Sequence, residues 1–238
     1  LMRKTLLMHV NLISIFPEYF SPLSLSLLGK AQEKGLIKID VTDLREFTFD
    51  KHKTVDDAPY GGGPGMVMKA DVWAAAIDSV LSDEKSVLVI PTPSGKLFNQ
   101  KMAQDLSKEK HLIFIAGRYE GIDSRVSQFY EKSDKIKEVK EISIGDYVLA
   151  GGEVASMVIL ETVSRLIPGV LGNEDSIADD SFAEGEMQNL LEGPIFTRPE
   201  EWRGLKVPEV LLSGDHQKIR EWKKAEASKK TSLNRPEL

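Results

Sequence analysis

The sequence has 238 residues, of which 41% are hydrophobic and 29% charged, as is typical of a globular chain of one or two domains. It contains no cysteine, which excludes disulfide scaffolds, thiolate catalysis and cysteine-ligated metals, and its four histidines lack the i,i+4 spacing of a zinc site. Its net charge of −6 argues against a surface that binds nucleic acid throughout, and no apolar window is long enough to cross a membrane.

Short apolar runs alternate with amphipathic segments up to residue 166. In chain order they predict a strand at 9–16, a helix at 18–34, a strand at 36–41, a glycine-rich loop at 50–65, a helix at 71–81, a strand at 86–90, a helix at 97–106, a strand at 111–116, a helix at 122–130, a strand at 136–144 and a helix at 153–166. Strands that alternate with helices predict an α/β fold whose mainly parallel sheet is flanked by helices.

The start of the chain resembles a secretory signal only superficially. His9 and Asn11 interrupt its apolar run, and Pro17 stands where small residues would be needed for cleavage. The run therefore predicts a buried strand. Together with the absence of cysteine, this favours a cytoplasmic protein.

The character of the sequence changes after Pro168. Residues 173–186 are acidic and poorly periodic, which predicts a flexible connector. Prolines then separate short elements, and residues 216–227 predict a charged helix, so a small helical domain is expected behind the connector. Residues 198–238 hold ten Lys and Arg against seven Asp and Glu, while residues 1–197 carry a net charge of −9. This basic tail is suited to local contact with phosphates.

Three turns that contain glycine follow predicted strands. They are the first glycine turn at 92–95 (TPSG), the second at 117–121 (GRYEG) and the third at 143–153 (SIGDYVLAGGE). One such turn alone is most simply a tight connection. Three at one sheet edge predict a ligand pocket, because ligands bind at the carboxyl ends of parallel strands and glycine lets backbone groups approach a ligand closely. No dinucleotide or P-loop fingerprint is present.

Several other features have two interpretations from the residues alone. The glycine cluster at 61–65 is either a phosphate-binding nest of amides or a rigid connector. Asp56 and Asp57 before it are either a metal pair or a solvated turn. The aromatic and basic residues from 196 to 203, with the cations of the last helix, form either a contact for single-stranded RNA or a solvated surface.

An acidic pair and an arginine also have two interpretations each. Asp179 and Asp180 are either a solvated pair or, together with a docked Phe182, part of a site. Arg165 either donates hydrogen bonds to the free carbonyls at the end of the last helix of the sheet domain, or places its own positive charge over a substrate oxygen.

Longer motifs resemble those of the bacterial tRNA (guanine-N(1)-)-methyltransferases. They are 59–66 (PYGGGPGM), 117–123 (GRYEGID), the third glycine turn, 164–172 (SRLIPGVLG), 180–185 (DSFAEG) and 207–214 (VPEVLLSG), in the same order and over nearly the whole chain. The resemblance implies an SPOUT-type domain at 1–172, whose deep trefoil knot binds S-adenosylmethionine, a flexible connector or lid at 173–186 and a helical tRNA-binding domain at 187–238. It also implies a homodimer that methylates N(1) of the guanine immediately 3′ of the anticodon.

The resemblance implies roles for individual residues. Asp180 is expected to be the general base for guanine N(1), and Arg165 to stabilise the guanine oxygen. Magnesium is a possible second cofactor, whose ligands the resemblance does not fix. Glu120 and Asp146 either orient the S-adenosylmethionine or hold the magnesium. The expected cofactor-binding residues are Pro93, Gly117, Glu120, Gly121, Ile144, Gly145, Asp146, Tyr147, Val148, Leu149, Gly151 and Gly152. Each active site is expected to combine the cofactor loops of one subunit with Asp180 of the other.

Two other functions remain as alternatives. One is an SPOUT methyltransferase that acts on rRNA, which the cluster at 61–65 and the tail domain argue against. The other is an RNA-binding protein without catalysis, which the combination of Asp180, Arg165 and all three glycine turns argues against.

Overall fold

A computed structural model describes residues 8–172 and 180–238. These residues fall into two compact units, one within 1–172 and the other within 173–238. Part of the predicted connector, including Asp179, lies outside the described residues.

The first unit contains one large parallel sheet. Its strands in chain order are β1 (Met8–Ser14), β2 (Ile37–Asp43), β3 (Asp56–Asp57), β4 (Val67–Met68), β5 (Ser86–Leu97), β6 (His111–Ile115) and β7 (Ile136–Ser143). Five of them form the sheet in the order β2-β1-β6-β5-β7, with every pair parallel, while β3 and β4 pair with each other. All five residues of β6 are buried, which explains why residues 112–115 form a continuous apolar run.

Helices cover both faces of this sheet. They are α1 (Ser26–Glu33), α2 (Ala70–Val80), α3 (Gln100–Leu106), α4 (Arg125–Tyr130) and α5 (Gly152–Arg165). Alternate strand residues divide between two cores: Leu112 packs in the one that contains α1, α3 and α5, and Ile113 in the one that contains α2 and α4. The predicted α/β class with a mainly parallel, helix-covered sheet is confirmed.

Two of the predicted boundaries are wrong for reasons visible in the backbone. The helix predicted at 18–34 is a 3-10 helix at Pro17–Ser24 followed by α1, with Leu25 extended between them. Pro22 has no N–H to donate to a continuous α-helix. The helix predicted at 97–106 begins only at Gln100, where the side chain of Asn99 caps it by accepting from the Met102 amide at 2.9 Å.

The strand predicted at 86–90 continues to Leu97 instead of ending at its prolines. Its ladder with β7 is interrupted between Pro91 and Lys96 and then resumes, so the first glycine turn bulges out of the sheet edge within β5. The local sequence shows the break, but the resumed pairing depends on a strand that lies about 40 residues further along.

The second unit contains β8 (Glu201–Trp202), β9 (Leu205–Lys206), α6 (Glu209–Leu212) and α7 (His216–Asn234). The helix predicted at 216–227 therefore extends well beyond its predicted end, and Asp215 caps its start. The hairpin of β8 and β9 was not predicted; Arg203 and Gly204 at its turn both have positive φ, at 53° and 82°. No helix in the described part of the chain is long and apolar enough to cross a membrane.

Candidate active site

A cavity of about 470 Å³ opens at the carboxyl ends of β5, β6 and β7. All three glycine turns contribute to its wall, because the parallel strands that precede them end at the same edge of the sheet. The cavity is lined by all of the expected cofactor-binding residues except Asp146, which is exposed and lies outside the lining.

The third glycine turn is held by hydrogen bonds within itself. The Gly145 amide donates to Ser143 Oγ at 3.2 Å, and the Tyr147 hydroxyl donates to the Ile144 carbonyl at 3.0 Å. A Cβ atom on Gly145 would collide with the ring of Tyr147. Glycine is therefore required for this turn to pass close to its own aromatic side chain.

The glycine cluster at 61–65 is exposed and lies outside the cavity lining. The segment that follows the cluster supports the second glycine turn: the Glu120 amide donates to the Met66 carbonyl at 3.0 Å, and the Met68 amide donates to the Gly121 carbonyl at 2.9 Å. A Cβ on Gly65 would collide with the Glu120 side chain. Gly65 and the segment after it therefore hold Glu120 at the cavity wall, while a Cβ on Gly61, Gly62 or Gly63 would meet nothing within 4 Å.

Arg118, in the second glycine turn, forms a buried ion pair with Glu153 in the first turn of α5. The Glu153 side chain is 1% exposed, and Arg118 Nε lies 3.1 Å from its Oε1 and 3.0 Å from its Oε2. Only the contact with Oε1 has hydrogen-bond geometry; Oε2 forms an ion-pair contact and accepts no hydrogen bond from the described residues. Ser14 Oγ donates to Oε1 at 2.6 Å.

Aromatic rings complete the surroundings of this arginine. Its guanidinium lies over the rings of Phe16 and Tyr19, at 4.7 and 4.9 Å from their centroids. Burial acts to lower the pKa of Arg118, but the hydrogen bonds with Glu153 and Tyr19 outweigh it and raise that pKa above its usual value. Arg118 is therefore held as a charged group.

The two expected catalytic residues lie in different units. Arg165 is the last residue of α5 and is exposed, where a cation also interacts favourably with the helix dipole. Asp180 is half-buried in a turn closed by the Ala183 amide, which donates to the Asp180 carbonyl at 3.2 Å. Phe182 in the same turn has a left-handed φ of 66°.

Comparison with known proteins matches this chain to one family. Residues 8–238 match the family model described as tRNA (Guanine-1)-methyltransferase TrmD. The chain belongs to the tRNA (guanine-N(1)-)-methyltransferase family.

Three relatives are each named tRNA (guanine-N(1)-)-methyltransferase. The Thermobifida fusca protein is 55% identical over 234 residues, which cover 97% of this chain and 88% of that protein. The Streptomyces avermitilis protein is 54% identical, covering 97% and 83%, and the Nocardia farcinica protein is 54% identical, covering 97% and 96%.

Membership of this methyltransferase family implies S-adenosylmethionine as the methyl donor, and the cavity suits such a molecule. Its volume of about 470 Å³ is in the range of small-molecule sites. At Gly145, Gly151 and Gly152 in its wall, an added Cβ would lie within about 3 Å of neighbouring atoms, so glycine keeps these walls closely packed.

A comparable arrangement for a metal ion is not found among the described residues. Within residues 8–172 and 180–238, no three His, Asp or Glu side chains gather as metal ligands. Asp57, one of the pair considered from the sequence, is exposed and accepts a hydrogen bond from the Ala58 amide at 2.8 Å, as in a solvated turn.

Thr92, Ser94, Arg118 and Tyr119 line the cavity as members of the glycine turns that the sequence predicted to form a pocket. Sequence reasoning missed three polar residues of the wall outside those turns, Ser124, Ser127 and Glu141. Each lies a few residues from a glycine turn, so proximity to those turns was the signal that could have identified them.

Proposed function

We propose that this protein transfers a methyl group from S-adenosylmethionine to N(1) of the guanine immediately 3′ of the anticodon of tRNA. The observation that carries the proposal is the match of residues 8–238 to the tRNA (Guanine-1)-methyltransferase family. A cavity built from three glycine turns at the carboxyl edge of the sheet supports it. Because tRNA is a cytoplasmic molecule, we place the protein in the cytoplasm.

The cavity is the proposed S-adenosylmethionine site. Residues 144–149 would contact the adenine through their main chain, and Pro93, Gly117 and Glu120 would form the opposite walls. The bound donor supplies a methyl group activated by attachment to a sulfonium. We further propose that the chain around these turns forms the deep trefoil knot of an SPOUT domain, which family membership and the parallel sheet support.

Asp180 would act as the general base. Guanine N(1) carries a proton and is a poor nucleophile until that proton is removed, and a carboxylate is a suitable acceptor. Loss of the proton moves negative charge toward the guanine oxygen, where the guanidinium of Arg165 would stabilise it. Transfer then depends mainly on in-line proximity and needs no covalent enzyme intermediate.

A homodimer is part of the proposal. Val154 and Val158 lie four residues apart on α5, where they share a face, and are 41% and 43% exposed. Tyr19, on the 3-10 helix that packs against α5, is 45% exposed. An apolar face of this kind suits contact with a second copy.

The second unit would hold the tRNA. The α7 cations are exposed, and Trp202 at the hairpin is 57% exposed with the Arg203 guanidinium 4.8 Å from its ring centroid. Exposed aromatic rings beside cations suit stacking on single-stranded bases.

The proposal gives magnesium no ligands and no step of the methyl transfer, since the described residues contain no cluster of side chains that fits it.

The decisive experiment measures methyl transfer from labelled S-adenosylmethionine to tRNA transcripts with guanine or adenine 3′ of the anticodon. Only the guanine transcript should be methylated, and ribosomal RNA should not. Asp180→Asn should lower the single-turnover rate by about 10²–10⁴-fold, whereas Glu186→Gln, an exposed acidic residue of the same unit, should not. Binding of tRNA without methyl transfer by the unsubstituted protein would support the non-catalytic alternative.

A further inference from the structure

Glu153 is a buried carboxylate to which the proposed chemistry gives no task. It lies behind the cavity wall and is 1% exposed. Removing a carboxylate from water costs several kcal/mol, and a buried ion pair is often no more stabilising than an apolar pair of the same volume. Its position next to the cavity therefore suggests a function other than general stability.

The pair of Arg118 and Glu153 lies where two walls of the cavity meet. The Gly152 amide donates to the Gly117 carbonyl at 2.9 Å, and an isolated antiparallel bridge joins Arg118 to Gly151. These backbone contacts link the second and third glycine turns. The ion pair packs directly over this junction, because a Cβ on Gly151 would collide with both of its side chains.

A third segment fixes the carboxylate from the opposite side. Ser14, the last residue of β1, is fully buried and donates to Glu153 Oε1 at 2.6 Å. The carboxylate thus joins the end of a central strand to the start of α5 and, through Arg118, to the turn after β6. Both donors reach the same oxygen, Oε1, and the negative charge strengthens the contact with the Arg118 guanidinium.

We propose that Glu153 is a positioning residue for S-adenosylmethionine binding, which holds the second and third glycine turns at the spacing that the cofactor requires. It acts through Arg118, whose side chain is 14% exposed and whose guanidinium lies over two aromatic rings. The inference rests on the cofactor cavity proposed above.

Three variants test it. Glu153→Gln keeps the shape and removes the charge. Ser14→Ala removes two hydrogen bonds, the one that Ser14 Oγ donates to Glu153 and the one that it accepts from the Phe16 amide at 2.9 Å, at a residue that does not line the cavity. Glu109→Gln is the matched control, because it removes a half-buried carboxylate that is paired with Lys137 at 2.7 Å away from the cavity. Each is compared with the unsubstituted protein by calorimetric titration with S-adenosylmethionine, by steady-state kinetics and by thermal unfolding.

Glu153→Gln should raise the Kd and KM for S-adenosylmethionine about tenfold, because displaced turns no longer match the shape of the cofactor at several points. The KM for tRNA should change little. Ser14→Ala should shift the same constants in the same direction by a smaller factor, and Glu109→Gln should leave them unchanged.

A purely structural role predicts another result: a lower Tm with the Kd and KM for S-adenosylmethionine unchanged in the folded protein. That result in Glu153→Gln would overturn the proposal. If this variant does not fold, Ser14→Ala decides, and an unaltered cofactor Kd in it counts equally against the proposal. Failure of the unsubstituted protein to bind S-adenosylmethionine would instead overturn the proposed function, on which the inference depends.

Discussion

His111 shows how one buried side chain can make the stability of the fold depend on pH. Its Nε2 lies 2.7 Å from Asn11 Oδ1, which can only accept, and its Nδ1 lies 2.7 Å from Ser86 Oγ. The network therefore assigns the proton to Nε2 and leaves Nδ1 as the acceptor from Ser86. Burial, with a smaller contribution from the stacked His9 ring, lowers the pKa of His111 to about 4.

The free energy of unfolding should therefore fall as the pH is lowered from about 6.5 toward about 4. In this window the unfolded chain binds a proton at His111 and the folded chain does not, so acid favours unfolding. Urea denaturation at a series of pH values measures the effect. His111→Gln should flatten the dependence, while His52→Gln, at an exposed histidine, should retain it. Equal slopes in both variants would show that other groups cause the acid sensitivity.

Gly145 is the residue at which a single substitution should abolish cofactor binding. Gly145→Val places a branched side chain where the Tyr147 ring already lies, so the third glycine turn must open. Titration calorimetry should detect no S-adenosylmethionine binding, while circular dichroism should show a folded protein. The control is Gly172→Val, because a Cβ at Gly172 meets nothing within 4 Å. Undiminished affinity in folded Gly145→Val would contradict the proposed site.

At the scale of elements, the sequence predicted the sheet much better than the details of its edges. Buried strands such as β6 are continuous apolar runs, and their order along the chain is enough to predict a parallel sheet. The resumption of β5 after its prolines was not predictable, because it depends on pairing with β7. The hairpin of β8 and β9 was missed because strands of two residues have no detectable period.

The same distinction applies to the candidate site. The meeting of the three glycine turns could be predicted, since it follows from parallel strands that end at one edge. The exposure of Asp146 could not be predicted, because a motif does not specify which side chains of a turn face inward. The contact of Ser14 with Glu153 could not be predicted either, because the two residues are 139 positions apart in the chain.

The α7 helix carries the element-scale prediction. Replacing Lys224, Lys229 and Lys230 by Gln removes three exposed charges while keeping good helix formers. Binding to tRNA should weaken, and the slope of log K against log salt should become shallower by about 0.7–0.9 for each phosphate that is no longer neutralised. Filter binding at several salt concentrations measures both quantities.

An equal change of charge elsewhere serves as the control for this prediction. Lys51, Lys85 and Lys132 are exposed residues of the first unit, and their replacement by Gln should leave the salt slope unchanged. An equally reduced slope in the two triple variants would mean that α7 is only a solvated face and that net charge alone sets the affinity.

At the scale of the whole molecule, the proposed machinery is divided between two units. The cofactor turns and Arg165 belong to the unit within 1–172, and Asp180 belongs to the unit within 173–238. In a two-fold symmetric dimer, such a division allows each active site to take its base from the other subunit, which yields two equivalent composite sites.

Subunit mixing distinguishes composite sites from self-contained ones. Gly145→Val chains should bind no cofactor and Asp180→Asn chains should lack the base, so each homodimer should be inactive. In a mixed dimer with composite sites, one pocket carries both substitutions and the other carries neither. About half of the dimers in an equimolar, fully exchanged mixture are mixed, so activity should return to roughly a quarter of that of the unsubstituted protein.

Self-contained sites give the opposite outcome, because every pocket then keeps one substitution and the mixture stays inactive. Exchange must be demonstrated independently, by differently tagged chains that co-purify after mixing. A mixture of Gly145→Val with Glu186→Gln is the matched control. Its activity should be about half of that of the unsubstituted protein under either model and should not change on exchange, which shows that a Gly145→Val chain does not inactivate its partner. No recovery in a mixture with demonstrated exchange would show that Asp180 serves the pocket of its own chain.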